Sequence, residues 1–131
     1  MIDQILQAVK GLAEDYAAPF TEIDNGATPA GAGLAIYPGP GTQTDSHFDR
    51  GASYSVPFVL NGKHGDLGTL LPAMSTIHAG LSRLKEYPKT DDWQILSIES
   101  ATPPNYLGRE ESSSMWMYGS ILSVRFYTKG V

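Results

Sequence analysis

Between Leu67 and Leu84 the chain sets Leu67, Leu70, Leu71, Met74, Ile77, His78, Leu81 and Leu84 at three- and four-residue intervals, and no other feature limits the fold as strongly. A helix with so broad an apolar stripe has to bury it against another layer. Proline is tolerated in a first turn, where its missing N–H has no partner anyway. Pro72 therefore sets the expected N-cap near Thr69 and the end near Glu86. A second stripe, Ile2, Ile5, Leu6, Val9, Leu12 and Tyr16, predicts an N-terminal helix ending before Pro19.

The layer beneath is legible as alternation. "GLAIYP" places Leu34 and Ile36 on one face, and "ASYSVPFVL" sets Ala52, Tyr54, Val56, Phe58 and Leu60 against Ser53 and Ser55. Pro57 lacks a backbone donor, which predicts an edge strand or a bulge there. "DWQILSIES" and "SSMWMYGSILSVRFYT" read as two more strands, the last with Trp116, Tyr118, Leu122, Val124 and Phe126 on one face. "TEIDNGATPAGAG" reads as loop, and residues 38–51 and 101–114 read as two long polar loops, a kind of segment that is often functional. The expected fold class is α+β: a mainly antiparallel four-stranded sheet with two helices packed on one face, in the order α-β-β-α-β-β.

The 131 residues suffice for one domain over residues 1–131. A net charge of −5 with nine scattered basic residues opposes general affinity for nucleic acid. Without cysteine there are no disulfides, thiolate metal sites or thiol nucleophiles, which suits a reducing cytosol. No apolar run is long enough to span a membrane. The N-terminal segment carries Asp3, Glu14 and Asp15 and lacks the basic-then-apolar order of a signal peptide.

Individual candidates for chemistry are few. Gly62-Lys63-His64-Gly65-Asp66 fails as a phosphate loop, because no glycine stands at the required distance before Lys63 and His64 replaces the Ser or Thr after it. It reads instead as the corner between an edge strand and the central helix, with Asp66 at the positive end of the helix dipole. Asp45, His47 and Asp49 alternate, so an extended segment would aim all three one way as a divalent-metal site; a solvated polar loop gives the same pattern. His78 lies on the apolar stripe with no G-x-S-x-G serine to serve. Glu110 and Glu111 are adjacent, which in a loop leaves both hydrated. Trp116, Tyr118 and Phe126 lack nearby basic residues and read as core rather than as a base-stacking platform.

The segment "YSVPFVLNGKHGDLGTLLPAMSTIHAGLSRL", a strand, an Asn-Gly-Lys turn and a helix carrying L-x-x-I-H, resembles the minor capsid and tail terminator proteins of long-tailed bacteriophages. The likeness extends more loosely to the first helix and to "SILSVRFYTKG". It implies an α+β sandwich that forms a ring, typically hexameric, and caps the head-proximal end of the tail tube. Such a ring ends tube polymerisation and forms part of the head–tail joining interface. Partners would be further copies of the chain, the tail tube protein and a head-completion or connector protein. DNA would pass through the lumen without specific binding, and no membrane, cofactor, metal or catalytic residue is implied. The protein would be made in the bacterial host cytoplasm and reside in the virion.

On that view the two long loops are the interface arms. The candidates are Thr42, Asp45, His47, Phe48, Asp49 and Arg50 on the first, and Tyr106, Arg109, Glu110 and Glu111 on the second. The alternatives are another neck or tail-completion component, a small metal- or ligand-binding α+β module using Asp45, His47 and Asp49, and a hydrolase using His64 or His78.

Overall fold

The structure is a computed structural model, and it describes residues 2–29, 31–46 and 51–129. Helix α1, Ile2–Glu14, buries Ile5, Val9 and Ala13, one residue per turn. Helix α2, Leu67–Leu81, buries Leu70, Ala73, Met74, Ile77, His78 and Leu81. No helix among the described residues is long and apolar enough to cross a membrane.

The termini of α2 differ from the expectation. Asp66 is the N-cap: its carboxylate accepts from the Gly68 amide at 3.0 Å and from the Thr69 hydroxyl at 2.9 Å, satisfying donors that a helix start leaves orphaned. Pro72 therefore stands in the second turn and removes one helical hydrogen bond, which the buried stripe around it offsets. The helix stops at Leu81 rather than near Glu86, because Ser82 caps it and returns its hydroxyl to the His78 carbonyl at 2.8 Å.

The sheet is mixed and has six strands: β1 (Ile23–Asn25), β2 (Gly33–Pro38), β3 (Thr42–Ser46), β4 (Ala52–His64), β5 (Trp93–Arg109) and β6 (Trp116–Thr128). They lie in the order β1-β2-β4-β6-β5, with β3 also paired to β4; β1 and β2 are parallel and the other pairs antiparallel. The fold is thus α+β, but the chain order is α-β-β-β-β-α-β-β. The two additional strands come from segments that read as loop. β1 is only three residues long, too short for alternation to register. β3, "TQTDS", has no apolar residue and is a strand because the edge of β4 pairs with it.

Strand β4 is central, not an edge. Along one side it pairs with β6 throughout; along the other it pairs with β3 over Ala52–Ser55 and with β2 over Phe58–Lys63. Pro57 stands in the gap between those two partners, and its carbonyl accepts from the Gly39 amide at 2.6 Å. The missing donor faces the one place where no ladder bond is due.

Leu34, Ile36, Val56, Phe58, Leu60, Leu122, Val124 and Phe126 share the helix-facing side and form one cluster with the buried residues of α1 and α2. Each fully buried side chain of this size contributes about 1.5–3 kcal/mol. On the opposite side the Ser55 and Ser123 hydroxyls meet at 3.3 Å, as the alternation predicts. Gly62 shows how closely the helix sits: a Cβ there would lie 2.7 Å from both Leu34 Cδ2 and Leu70 Cδ1.

The second expected loop, 101–114, is largely strand. β5 runs through it to Arg109, opposite β6, and only residues 110–115 make the turn. Pro103 and Pro104 fit because β5 is an edge and the register with β6 shifts between Thr102 and Asn105, so their missing donors cost no ladder bond.

Candidate functional site

The fragment Gly62–Asp66 resolves into separate structural tasks. Gly62 admits α2, and Lys63 reaches across the sheet to Glu110 with Nζ–Oε2 at 2.8 Å. The His64 ring accepts the Asp66 amide at 2.9 Å, edge-on to Phe20, while Asp66 caps α2. The strand continues to His64, past Asn61 and Gly62, so the corner occupies only Gly65 and Asp66.

His78 is 7% exposed, and its Nε2 lies 2.6 Å from the hydroxyl of Ser100 on β5. Sequence spacing does not connect residues 78 and 100; the packing of α2 on β5 does. Nδ1 is buried with no hydrogen-bond partner among the described residues, so nothing there holds the ring as the third member of a triad would. Burial pushes the His78 pKa down, because the cation loses hydration. The pair ties helix to sheet.

Of the first-arm candidates, Thr42 is exposed and pairs with Ser55, and Asp45 pairs with Ser53 in β3. Residues 38–51 are therefore not one loop. His47, Phe48, Asp49 and Arg50 lie outside the described residues, and with them the proposed Asp45–His47–Asp49 set. Among the described residues no three His, Asp or Glu side chains gather as a metal site.

The second-arm candidates come together at the end of the β5–β6 hairpin. Tyr106 packs against Trp116 at 5.8 Å and Tyr118 at 5.7 Å between ring centroids, and the Arg109 guanidinium covers the Trp116 ring at 4.6 Å. Gly108, at φ 136°, adopts a conformation that side chains rarely allow, at the register shift between Tyr106 and Gly108. That shift returns Arg109 to the face that carries Tyr106.

Hydrogen bonds hold the turn. The Glu110 amide donates to the Met115 carbonyl and the Ser114 amide to the Glu110 carbonyl, at 2.9 and 2.7 Å. Arg109 donates through Nε and Nη2 to the Ser114 carbonyl, at 3.1 and 2.8 Å. The Glu110 carboxylate accepts from Lys63 and from the Ser113 hydroxyl, bonds that hold its pKa below the usual carboxylate value. Glu111 is exposed. Adjacent in sequence, the two glutamates do different things: one closes the turn, the other faces water.

Both faces of this end are apolar. Tyr106, Trp116 and Tyr118 lie on the helix side, and Leu107 and Met117 border a small hollow on the other side with Asn61. Tyr106 and Leu107 are 53% and 54% exposed, the two most exposed large hydrophobic residues among those described. Leu107 and Met117 were not among the sequence candidates; Trp116 and Tyr118 read as core, and both do pack, partly buried, against it. Recognition of β5 as a strand would have exposed the signal, because successive strand residues face opposite sides and Tyr106-Leu107 makes both apolar.

No protein-family model matches the chain, and comparison with curated proteins finds no match.

Proposed function

We propose that this protein is a structural component of a long-tailed bacteriophage: a tail terminator that caps the head-proximal end of the tail tube as an oligomeric ring and forms part of the head–tail joint. It works by contact, without catalysing a reaction. The observation that carries this reading is the hairpin end, which is ordered by its own hydrogen bonds yet apolar on both faces. Tyr, Trp, Met and Arg are the residue types enriched where proteins meet, and Tyr106, Trp116, Tyr118, Met117 and Arg109 stand together there. The net charge of −5 is compatible with a lumen through which DNA slides without sticking. The Tyr106–Arg109 arm is part of a paired strand, so its geometry is preorganised for contact.

Immunogold labelling of this protein on phage particles from the source culture, viewed by negative-stain electron microscopy, tests the reading. Label at the head–tail junction and at the matching end of free tails is the expected result. Protein present only in the soluble fraction, with unlabelled particles, refutes it. Label elsewhere on the neck or tail would favour a different completion component.

A further inference from the structure

The hairpin end has a counterpart at the far end of the same sheet. There a hollow of about 470 Å³ is lined mainly by apolar side chains: Ile2, Pro38, Tyr54, Val56, Phe126 and Thr128. Tyr54 and Phe126 stack at 5.6 Å to form its floor, and Ile2 is 40% exposed at its rim. Strand β6 joins the two places, from Trp116 beside Arg109 to Thr128 at the hollow. Thirteen residues of strand put them about 40 Å apart.

We propose that the hairpin end of one copy seats in this hollow on the next copy, with Tyr106 entering the apolar floor and Arg109 pairing with Asp92. This rests on the assembly reading above and names the contact through which that assembly propagates. The charges fit. The Arg109 guanidinium spends its bonds on a carbonyl and a ring and has no carboxylate partner among the described residues. Asp92 does not line the hollow but stands next to its Thr128 edge: its carbonyl accepts from the Lys129 amide at 2.7 Å, and Trp93 pairs with Thr128. Asp91 and Asp92 are both exposed in the turn that runs from Lys89 to Gln94.

Two different surfaces at opposite ends of one subunit make a head-to-tail contact, which closes into a ring or continues as a filament according to the rotation per step. A twofold dimer would need a surface complementary to itself. Tyr106 is already propped by Trp116 and Tyr118, so little side-chain freedom is lost when it docks.

The chain has no cysteine, so the introduced thiols are its only ones, and each single variant controls for products with other particle proteins. Glu111→Cys and Lys129→Cys place one thiol beside each surface on exposed residues. The double variant, expressed in the phage-producing culture, would be treated with a short thiol-to-thiol crosslinker in purified particles. Head-to-tail docking predicts a ladder of products beyond dimer from the double variant, and none beyond dimer from either single variant. Arg109→Glu should lower the yield about tenfold, and Asp92→Arg in the same chain should restore it. Because Arg109 also braces the turn, Asp92→Arg alone serves as the second disrupting variant.

Double-variant protein incorporated into particles but giving no ladder, or only dimers, overturns this contact while leaving the assembly reading in place. Protein that never enters particles defeats both, and the immunogold result then identifies the assembly reading as the one that failed.

Discussion

Phe58 and Tyr106 are large aromatic residues on the same face of one sheet, yet Phe58 is fully buried and Tyr106 is 53% exposed. Both ends of the sheet are built from long paired strands. The difference lies above them: α1 and α2 cover the part of the face that carries Phe58, Leu122 and Val124, while at the hairpin end Trp116 and Tyr118 are only partly buried against the margin of that core and Tyr106 stays open. An apolar side chain under a helix is spent on stability. The same kind of side chain left open on a rigid hairpin is available for a partner, and the two regions should respond oppositely to mutation.

Phe58→Ala should have the largest effect on folding, a loss of about 3–5 kcal/mol, because the cavity it leaves lies under both layers. Tyr106→Ala should cost far less stability and, under the proposed assembly role, instead remove the protein from particles. Denaturant unfolding of both variants, beside their incorporation into phage, checks the contrast; a Tyr106→Ala protein that unfolds as readily as Phe58→Ala would place the hairpin end within the core. Gly62→Ala comes next. Its new methyl meets Leu34 and Leu70, and overpacking of this kind costs about 1–3 kcal/mol, measurable as a lowered midpoint with an unchanged slope.

A smaller effect follows from His78. Burial lowers its folded-state pKa beneath the reference value of 6.5, so as pH falls the unfolded chain takes up the proton first. Stability is full above about pH 6.5, declines as pH drops from there towards the folded pKa, and levels off below it. Unfolding midpoints at about pH 7.5 and about pH 5.5 should therefore differ less in His78→Gln than in the parent. Equal pH dependence in the two proteins would remove His78 as the source. The smallest change is expected from Lys63→Met, which breaks a partly exposed ion pair to Glu110. Such pairs contribute little, and the measurable consequence should be weaker salt dependence of melting rather than a clear loss of stability.

The helix-covered region was also the legible one. Leu70, Met74, Ile77, Phe58, Leu60, Leu122 and Val124 follow the periods of helix and strand closely enough that burial can be inferred from spacing alone. The hairpin end was only half legible. Tyr106, Arg109, Glu110 and Glu111 stand out as an arm, but the polar character of residues 101–114 reads as loop and hides that the arm is a strand. With the strand hidden, Leu107 and Met117 had no face to be assigned to.

Local chemistry by itself determined the two apolar helices, the alternating strands β2, β4 and β6, the acidic balance and the absence of thiol chemistry, because each depends on periods and residue types within a few turns of chain. Tertiary structure alone decided the rest. Polar β3 is a strand because β4 offers it an edge, Pro57 is central because two partners meet at its missing donor, and His78 meets Ser100 because α2 packs across β5. Tyr106 meets Trp116 and Tyr118 because β5 and β6 pair in that register. These are contacts between residues distant in sequence, and they exist only once the chain has closed on itself.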